Sequence, residues 1–279
     1  MMEGKGNKIL KSTLRYVILI ILAILWIVPI ITLVLTAVKA KSDFISGLGL
    51  FEIPEQIAWS NFSNAMVEGN LFKYMKNDLI ICLLKVPLGI FFSSMAAFAL
   101  TRLKLKHATG WFVFLLLGMM LPMQIALVPI SIIYNKLNLI NTYFGLFYVY
   151  IGFGVSFMIL IMHGFMKGID FAIDEAAYID GASKWQTFSR IILPICKPAI
   201  ATLFITDFLS TWNEYLLASV IINDNNLKTV PVGLMTFVGE HGTDYGYLCA
   251  GVLISVIPVM AVYLIFQRYF VEGMAGAVK

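Results

Sequence analysis

Apolar residues fill six windows of this chain, at 14–37, 78–100, 111–134, 143–165, 198–221 and 246–270. Each is close to or above the length of about 20 residues that a helix needs to cross the hydrocarbon core of a bilayer. The pattern predicts an all-α membrane protein of six transmembrane helices, with residues 1–13 as a polar tail and 14–279 as the spanning domain. The first window is too long for a signal-peptide core and no small-residue cleavage site follows it, so it reads as a retained anchor. Prolines fall inside several windows, at Pro29, Pro87, Pro122, Pro129 and Pro258. Each removes a backbone donor and bends its helix.

The connection 166–197 is polar and helix-patterned, and its centre reads EAAYIDGASKWQTFSRIILP over 175–194. Asp170 can cap a first helix through Ala172, Ile173, Ala176 and Ala177 towards Ile179. Gly181 follows where a helix commonly ends in a left-handed residue. Ser183, with Gln186 three residues on, is a capping box that opens a second helix. Trp185, Phe188 and Ile192 recur at helical spacing as an apolar stripe, and Leu193-Pro194 is expected to stop that helix. The segment therefore reads as helix, tight turn, helix. On physics alone, an amphipathic linker resting on lipid headgroups is an equal reading.

Charge orients the bundle. Lys5, Lys8, Lys11 and Arg15 precede or begin the first span, and Arg102, Lys104 and Lys106 occupy the second connection. Lys167, Lys184, Arg190 and Lys197 lie in the polar connection, and Arg268 and Lys279 near the C-terminal end. The third and fifth connections hold only Lys136 and Lys228. Lys39, Lys41, Lys73 and Lys76 in the first connection run against the pattern. The sum predicts both termini and the polar connection in the cytoplasm.

Composition agrees with a membrane class. Only 13% of residues are charged, about half the share in soluble domains, and the mean hydropathy is +0.87. Cys82, Cys196 and Cys249 form no CxxC pair, and His107, His163 and His241 share no metal-binding spacing. No nucleophile–base spacing points to an enzyme, and no GxxxxGK[ST] occurs, so this chain has no P-loop to cradle phosphates.

The order of residues in the polar connection is more specific than its helix pattern. Glu175-Ala176-Ala177, then Gly181, Ile191 and Leu193-Pro194, follows an EAA-x3-G-x9-I-x-LP motif position for position. This resembles the membrane permease subunits of ATP-binding-cassette importers. Met119 to Gln124 with Pro129, Leu139 to Leu146, Trp212-Asn213-Glu214-Tyr215, Thr229 to Leu234 and Gly273 to Lys279 are similar to carbohydrate permeases of the maltose and multiple-sugar type. Asp170, where many members have proline, and Asp78, where serine is usual, depart from it. The resemblance implies a cytoplasmic coupling loop whose contacts to an ATPase subunit involve Glu175, Ala176, Ala177, Asp180, Gly181, Ala182, Ile191, Leu193 and Pro194. It also implies two ATPase subunits that carry the ATP and magnesium, a second permease subunit and an extracellular sugar-binding protein. No cofactor is expected on this chain, which would be a transport subunit of a bacterial cytoplasmic membrane. A non-sugar solute is the alternative within the importer class, and an ion-coupled secondary transporter is the alternative outside it.

Polar residues inside a span are costly and mark candidate function. Asp207, Ser210, Thr211 and Glu214 fall at i, i+3, i+4 and i+7 of the fifth window and would share one face lining a substrate path. Asn213 and Trp212 lie beside them; Trp212 could stack on a sugar face or serve as an interfacial aromatic. Lys85 and Glu214 each lie about 10 Å from the outer end of their span, at about 1.5 Å per residue. Equal depth makes an ion pair between them possible, and snorkelling of Lys85 to the outer headgroups is the other reading.

Overall fold

The computed structural model describes residues 3–239 and 242–276. His241 and the terminal Ala277-Val278-Lys279 lie outside them. The chain divides into two compact units, one of Met1–Asn70 with Thr236–Ile254 and one of Leu71–Met235 with Ser255–Lys279.

The first unit begins with α1 (Glu3–Ala37), which continues through the polar tail without a break. Its apolar part, from Lys11, is long enough to span a membrane and is exposed along most of its length. A helix that is hydrophobic all round needs lipid or a partner on every face. After α1 the chain folds through α2 (Lys41–Ile45) and α3 (Ser60–Val67). Lys39 is fully buried there, and its ammonium donates to the Gly49 and Leu50 carbonyls at 2.6 and 3.1 Å. The Asn61 amide donates to the Ala37 and Lys39 carbonyls at 2.9 Å each. One of the lysines that ran against the charge pattern is thus spent on closing a loop. Two short strands, β1 (Val238–Gly239) and β2 (Gly242–Thr243), pair antiparallel in the same unit.

The second unit holds α4 (Leu71–Arg102), α5 (Ala108–Met120), α6 (Met123–Lys136) and α7 (Tyr143–Lys167). Then follow α8 (Ala172–Ile179), α9 (Lys184–Ile195), α10 (Lys197–Trp212), α11 (Leu216–Ile221) and α12 (Val230–Leu234). The last helix, α13 (Tyr245–Gly276), belongs to both units in turn. Helices α4 and α7 pack closely because small residues face large ones. A Cβ at Gly89 would meet Met158 Cε at 2.9 Å, and one at Gly154 would meet Lys85 Nζ at 2.8 Å. Small residues at such crossings let helices gain packing contact where lipid offers no hydrophobic drive. The apolar core nearby joins Ile81, Leu146, Val149, Tyr150, Leu217 and Ile221.

Four helices among the described residues are long and apolar enough to cross a membrane, and two bent pairs bring the number to six if each pair counts as one span. The third and fifth windows are therefore not continuous helices. The third breaks by 88° between α5 and α6 at Leu121-Pro122. Pro122 pushes Leu121 into an extended conformation, as a proline does to the residue before it. The fifth window ends its first helix at Trp212 and restarts at Leu216, so Trp212-Asn213-Glu214-Tyr215 marks a helix break.

The connection between α11 and α12 is tied back to α4. The Asn77 amide donates to the Asn226 and Lys228 carbonyls at 2.9 Å each, and Tyr143 donates to Asn77 Oδ1 at 2.8 Å. The Asp78 carboxylate accepts the Val230 N–H at 3.1 Å and so caps α12 from another helix. Asp78 is fully buried.

Candidate functional site

Two sites emerge in the second unit. The polar connection is a helix, a glycine turn and a second helix, as the sequence pattern predicts. Asp170 Oδ1 accepts the Ala172 N–H at 3.0 Å and starts α8. Asp174 and Glu175 lie in the first turn, where negative charge suits the helix dipole. Gly181 has φ +75° and nothing near its absent Cβ, so backbone conformation, not space, calls for glycine. The Ala182 N–H reaches back to the Ala177 carbonyl at 2.9 Å, closing the turn. Ser183 and Gln186 form the expected capping box, at 3.3 and 2.8 Å.

The two helices of this loop differ in what they present. On α8, Glu175, Ala176, Tyr178, Ile179 and Asp180 are exposed, and only Ala177 is buried. Tyr178 and Ile179 are 82% and 83% exposed, an apolar patch at the tip with nothing among the described residues covering it. On α9, Phe188 and Ile192 are buried. Phe188 packs on Phe98 at 5.2 Å and on Phe91 at 6.5 Å, which fixes α9 to α4. Trp185, the third stripe residue, is half-exposed but still touches Phe188 at 5.4 Å. Leu193-Pro194 does not stop α9. A π turn over Thr187–Ile192 precedes it, with the Leu193 N–H donating to Phe188 O, and the helix runs on to Ile195. The bend, 72°, comes at Cys196. Ile191 and Leu193 are half-buried and Pro194 is exposed.

Arg102, read from sequence only as a topology charge, holds this loop. Its Nη2 donates to the Met166 and Ile169 carbonyls at 2.9 and 2.8 Å, capping the end of α7. Its Nε faces Asp174 of α8 at 3.4 Å, and its guanidinium lies 4.1 Å from the Phe171 ring centre. The guanidinium is nearly fully buried, at 2% exposure. One side chain thus joins α4, α7 and α8. No sequence spacing relates residues 102, 166, 171 and 174, so this tie was not legible.

The second site is a small cavity of about 110 Å³ lined by Lys85, Tyr150, Gly154, Asp207, Thr211 and Glu214 among others. It has room for a few waters but lies well below the ~300 Å³ of ordinary ligand pockets. Lys85 is buried, so it does not snorkel, and its partner is Asp207, not Glu214. Its ammonium also donates to Thr211 Oγ1 at 3.2 Å, and that hydroxyl donates to the Asp207 carbonyl at 2.7 Å. Glu214 is drawn away by the helix break. Its carboxylate accepts the Leu217 and Ala218 N–H groups at 2.8 and 3.0 Å and the Tyr150 hydroxyl at 2.8 Å. Ser210 also lines the cavity and is exposed. Asn213 is exposed, and its amide turns back to the Leu209 carbonyl at 2.9 Å. Trp212 is buried, 2% exposed, and stacks on Phe208 at 5.7 Å. The four polar residues expected on one helical face do meet at one cavity, although they come from a helix and the break after it.

A family model described as the binding-protein-dependent transport system inner membrane component matches residues 87–276. That stretch contains the polar connection and most of the cavity. The chain belongs to this family of transport permeases. Curated relatives carry the same assignment along nearly the whole chain. It is 35% identical to a putative ABC transporter permease protein of Caldicellulosiruptor sp. (strain Rt8B.4), over 90% of this chain and 91% of that protein. It is 33% identical to the probable starch degradation products transport system permease protein AmyC of Thermoanaerobacterium thermosulfurigenes, over 93% and 94%. It is 32% identical to the trehalose/maltose transport system permease protein MalG of Thermococcus litoralis, over 98% and 99%. Among solved structures, a chain of a bacterial ABC transporter involved in alginate import shares its fold, with a TM-score of 0.82 at 22% identity over 95% of this permease and 98% of that chain. Lys85 lies just outside the family-model match, at residue 85 against a start at 87.

Proposed function

We propose that this permease translocates a sugar, in the oligosaccharide range, across a bacterial cytoplasmic membrane as one subunit of an ATP-driven importer. The substrate class is supported by the relatives, which are named for starch degradation products and for trehalose/maltose. The observation that carries the energy coupling is the exposed tip of α8: Tyr178 and Ile179 beside Glu175 and Asp180, held rigid by a glycine turn and a capping box. An apolar tip ringed by acids suits a cleft with basic edges on a cytoplasmic ATPase subunit. Glu175 would meet one of those bases, and Ala176 and Ala182 let the partner approach closely, while Ala177 packs inward and holds α8 in place. Two such ATPase subunits would carry the ATP and magnesium, and this chain would hold no cofactor. A second permease subunit would complete the pathway, and an extracellular binding protein would deliver the sugar. Both termini and the α8–α9 loop would lie in the cytoplasm.

The pathway reading of the cavity is that Asp207, Ser210, Thr211 and Glu214 face water when the bundle opens. In the arrangement seen here the cavity at the Lys85–Asp207 pair is too small for a sugar. Translocation then requires a second arrangement in which α10 and α11 move relative to α4 and α7, with different contacts in each.

Gly181 gives a direct test of coupling. Gly181→Val should cut ATPase association and sugar uptake by roughly tenfold or more, because a β-branched residue is poor at positive φ. Ala182→Val, one residue on, should change both by less than about twofold. Co-purification of the ATPase with each variant reads the first effect, and uptake in cells reads the second. Equal behaviour of the two variants would remove the special turn from the account.

A further inference from the structure

A second, larger cavity, of about 410 Å³, opens where α4 and α7 end and α5 begins. Its walls are apolar at Leu100, Phe112 and Phe171, and its polar groups are Thr101, Thr109, His163 and Lys167; the Thr101 hydroxyl already donates to the Ala97 carbonyl at 2.7 Å. Among the described residues no carboxylate lines it. His163 lies flat on Phe112, with ring centres 3.9 Å apart, so one face of the imidazole is covered. Lys167 is exposed and forms no ion pair among the described residues. The adjoining turn adds Lys104 and Lys106, both exposed. The cavity therefore combines hydroxyl and ammonium donors with apolar walls, at the ends of two helices long enough to span a membrane.

We infer that this cavity binds the phosphate headgroup of an anionic phospholipid. Phosphate calls for cationic and hydroxyl donors with no opposing acid, and the glycerol and first methylenes call for an apolar wall. The level of the site also fits, because span ends lie among headgroups. A lipid is the occupant favoured over a protein segment, because the site is a recess with a single-sign rim, and lipid surrounds it at high local concentration. Occupancy has a mechanical consequence. Phe171, one wall of the cavity, carries the Arg102 guanidinium, and Arg102 pairs with Asp174 on α8. A bound headgroup fixes Phe171 and so steadies the platform on which the α8–α9 loop stands.

This inference rests on the proposed membrane placement. Cysteine labelling at position 184 tests that placement separately. Labelling from outside the cell would overturn the cytoplasmic reading while leaving the lipid affinity of the cavity intact. The test of the site itself uses the intact transporter purified with its partners. It is placed in phosphatidylcholine vesicles with or without phosphatidylglycerol, the latter bearing a photoactivatable headgroup. Crosslinks should concentrate on peptides that contain Thr109 and Lys167. Lys167→Gln, at an exposed position that the fold does not need, should reduce them about fivefold, the weight of one lysine at an anionic surface. Thr109→Val should reduce them as well, and Lys136→Gln, at a distant connection, should not. Uptake should be several-fold higher with phosphatidylglycerol, and Lys167→Gln should abolish the difference. Equal crosslinking of wild type and Lys167→Gln would overturn the site. Competition by millimolar inorganic phosphate would make free phosphate the ligand and overturn the lipid assignment. A crosslink that instead joins Lys167 to a partner polypeptide would show the recess to be a subunit contact and would also overturn it.

Discussion

Lys85→Ala and Asp207→Ala should each leave little or no assembled transporter in the membrane, while the double variant Lys85→Met with Asp207→Leu should recover much of it. The two side chains pair inside the bundle, at 3% and 7% exposure, and Thr211 supplies the ammonium with another acceptor. Removing one member of such a pair strands a charge away from water, at a cost of about 3–5 kcal/mol in soluble proteins. That is a large part of the roughly 5–15 kcal/mol by which ordinary domains are stable. Replacing both members with apolar groups of similar size removes the stranded charge and is often neutral. Membrane content measured by immunoblot reads assembly, and uptake reads function. If the double variant assembles but does not transport, the pair or its cavity serves translocation as well as packing. If each single variant assembles as well as wild type, the pair holds nothing together.

Arg102→Ala should have the second large effect, of a different kind. The spans keep their own packing, so the protein should reach the membrane, but uptake should fall at least tenfold. The guanidinium ties two carbonyls at the end of α7, the Asp174 carboxylate and the Phe171 ring to the end of α4. Without it α8 hangs on its backbone connections alone, and motion of a docked ATPase would move the loop instead of the spans. ATP hydrolysis should then continue with little transport. Arg102→Lys should behave almost as poorly, because a lysine cannot meet two carbonyls and a carboxylate with one planar fork. Asp174→Asn should be much milder, since the partner lies at 3.4 Å and removes only one of four ties. Hydrolysis and uptake measured on the same vesicles separate uncoupling from simple loss of protein. A proportional fall in both would contradict the role of Arg102 as a tie.

Much of this was legible in the sequence because its signals are local. The first, second, fourth and sixth apolar windows, the glycine turn at Gly181 and the Ser183–Gln186 box are each set by one contiguous stretch of chain, and each appears where expected. The failures are of two kinds. Long-range pairing was misjudged: depth along a straight helix matched Lys85 with Glu214, but the helix break at Asn213 removes Glu214 from that register and leaves Asp207 opposite Lys85. Proline was read correctly as a bend at Pro122 and wrongly as a stop at Pro194. Pro122 ends a helix that the hydropathy window ran through, and Pro194 lies within a helix that the motif seemed to end. In the second case a π turn changes the donor–acceptor register just before the ring, a rearrangement that residue identity alone does not announce. Arg102 shows a further limit, since its partners come from α7, α8 and the turn between them, and only the folded chain brings them to the end of α4.

The central claim is that energy enters through the α8–α9 loop from ATP hydrolysed elsewhere, and not through a proton pathway at the Lys85–Asp207 cavity. The most direct measurement is radiolabelled maltodextrin uptake in cells whose proton gradient is collapsed by a protonophore while glycolysis keeps ATP high. The account predicts uptake at nearly the untreated rate, lost when Gly181→Val breaks the loop. Uptake that disappears with the gradient, while ATP stays high, would contradict it.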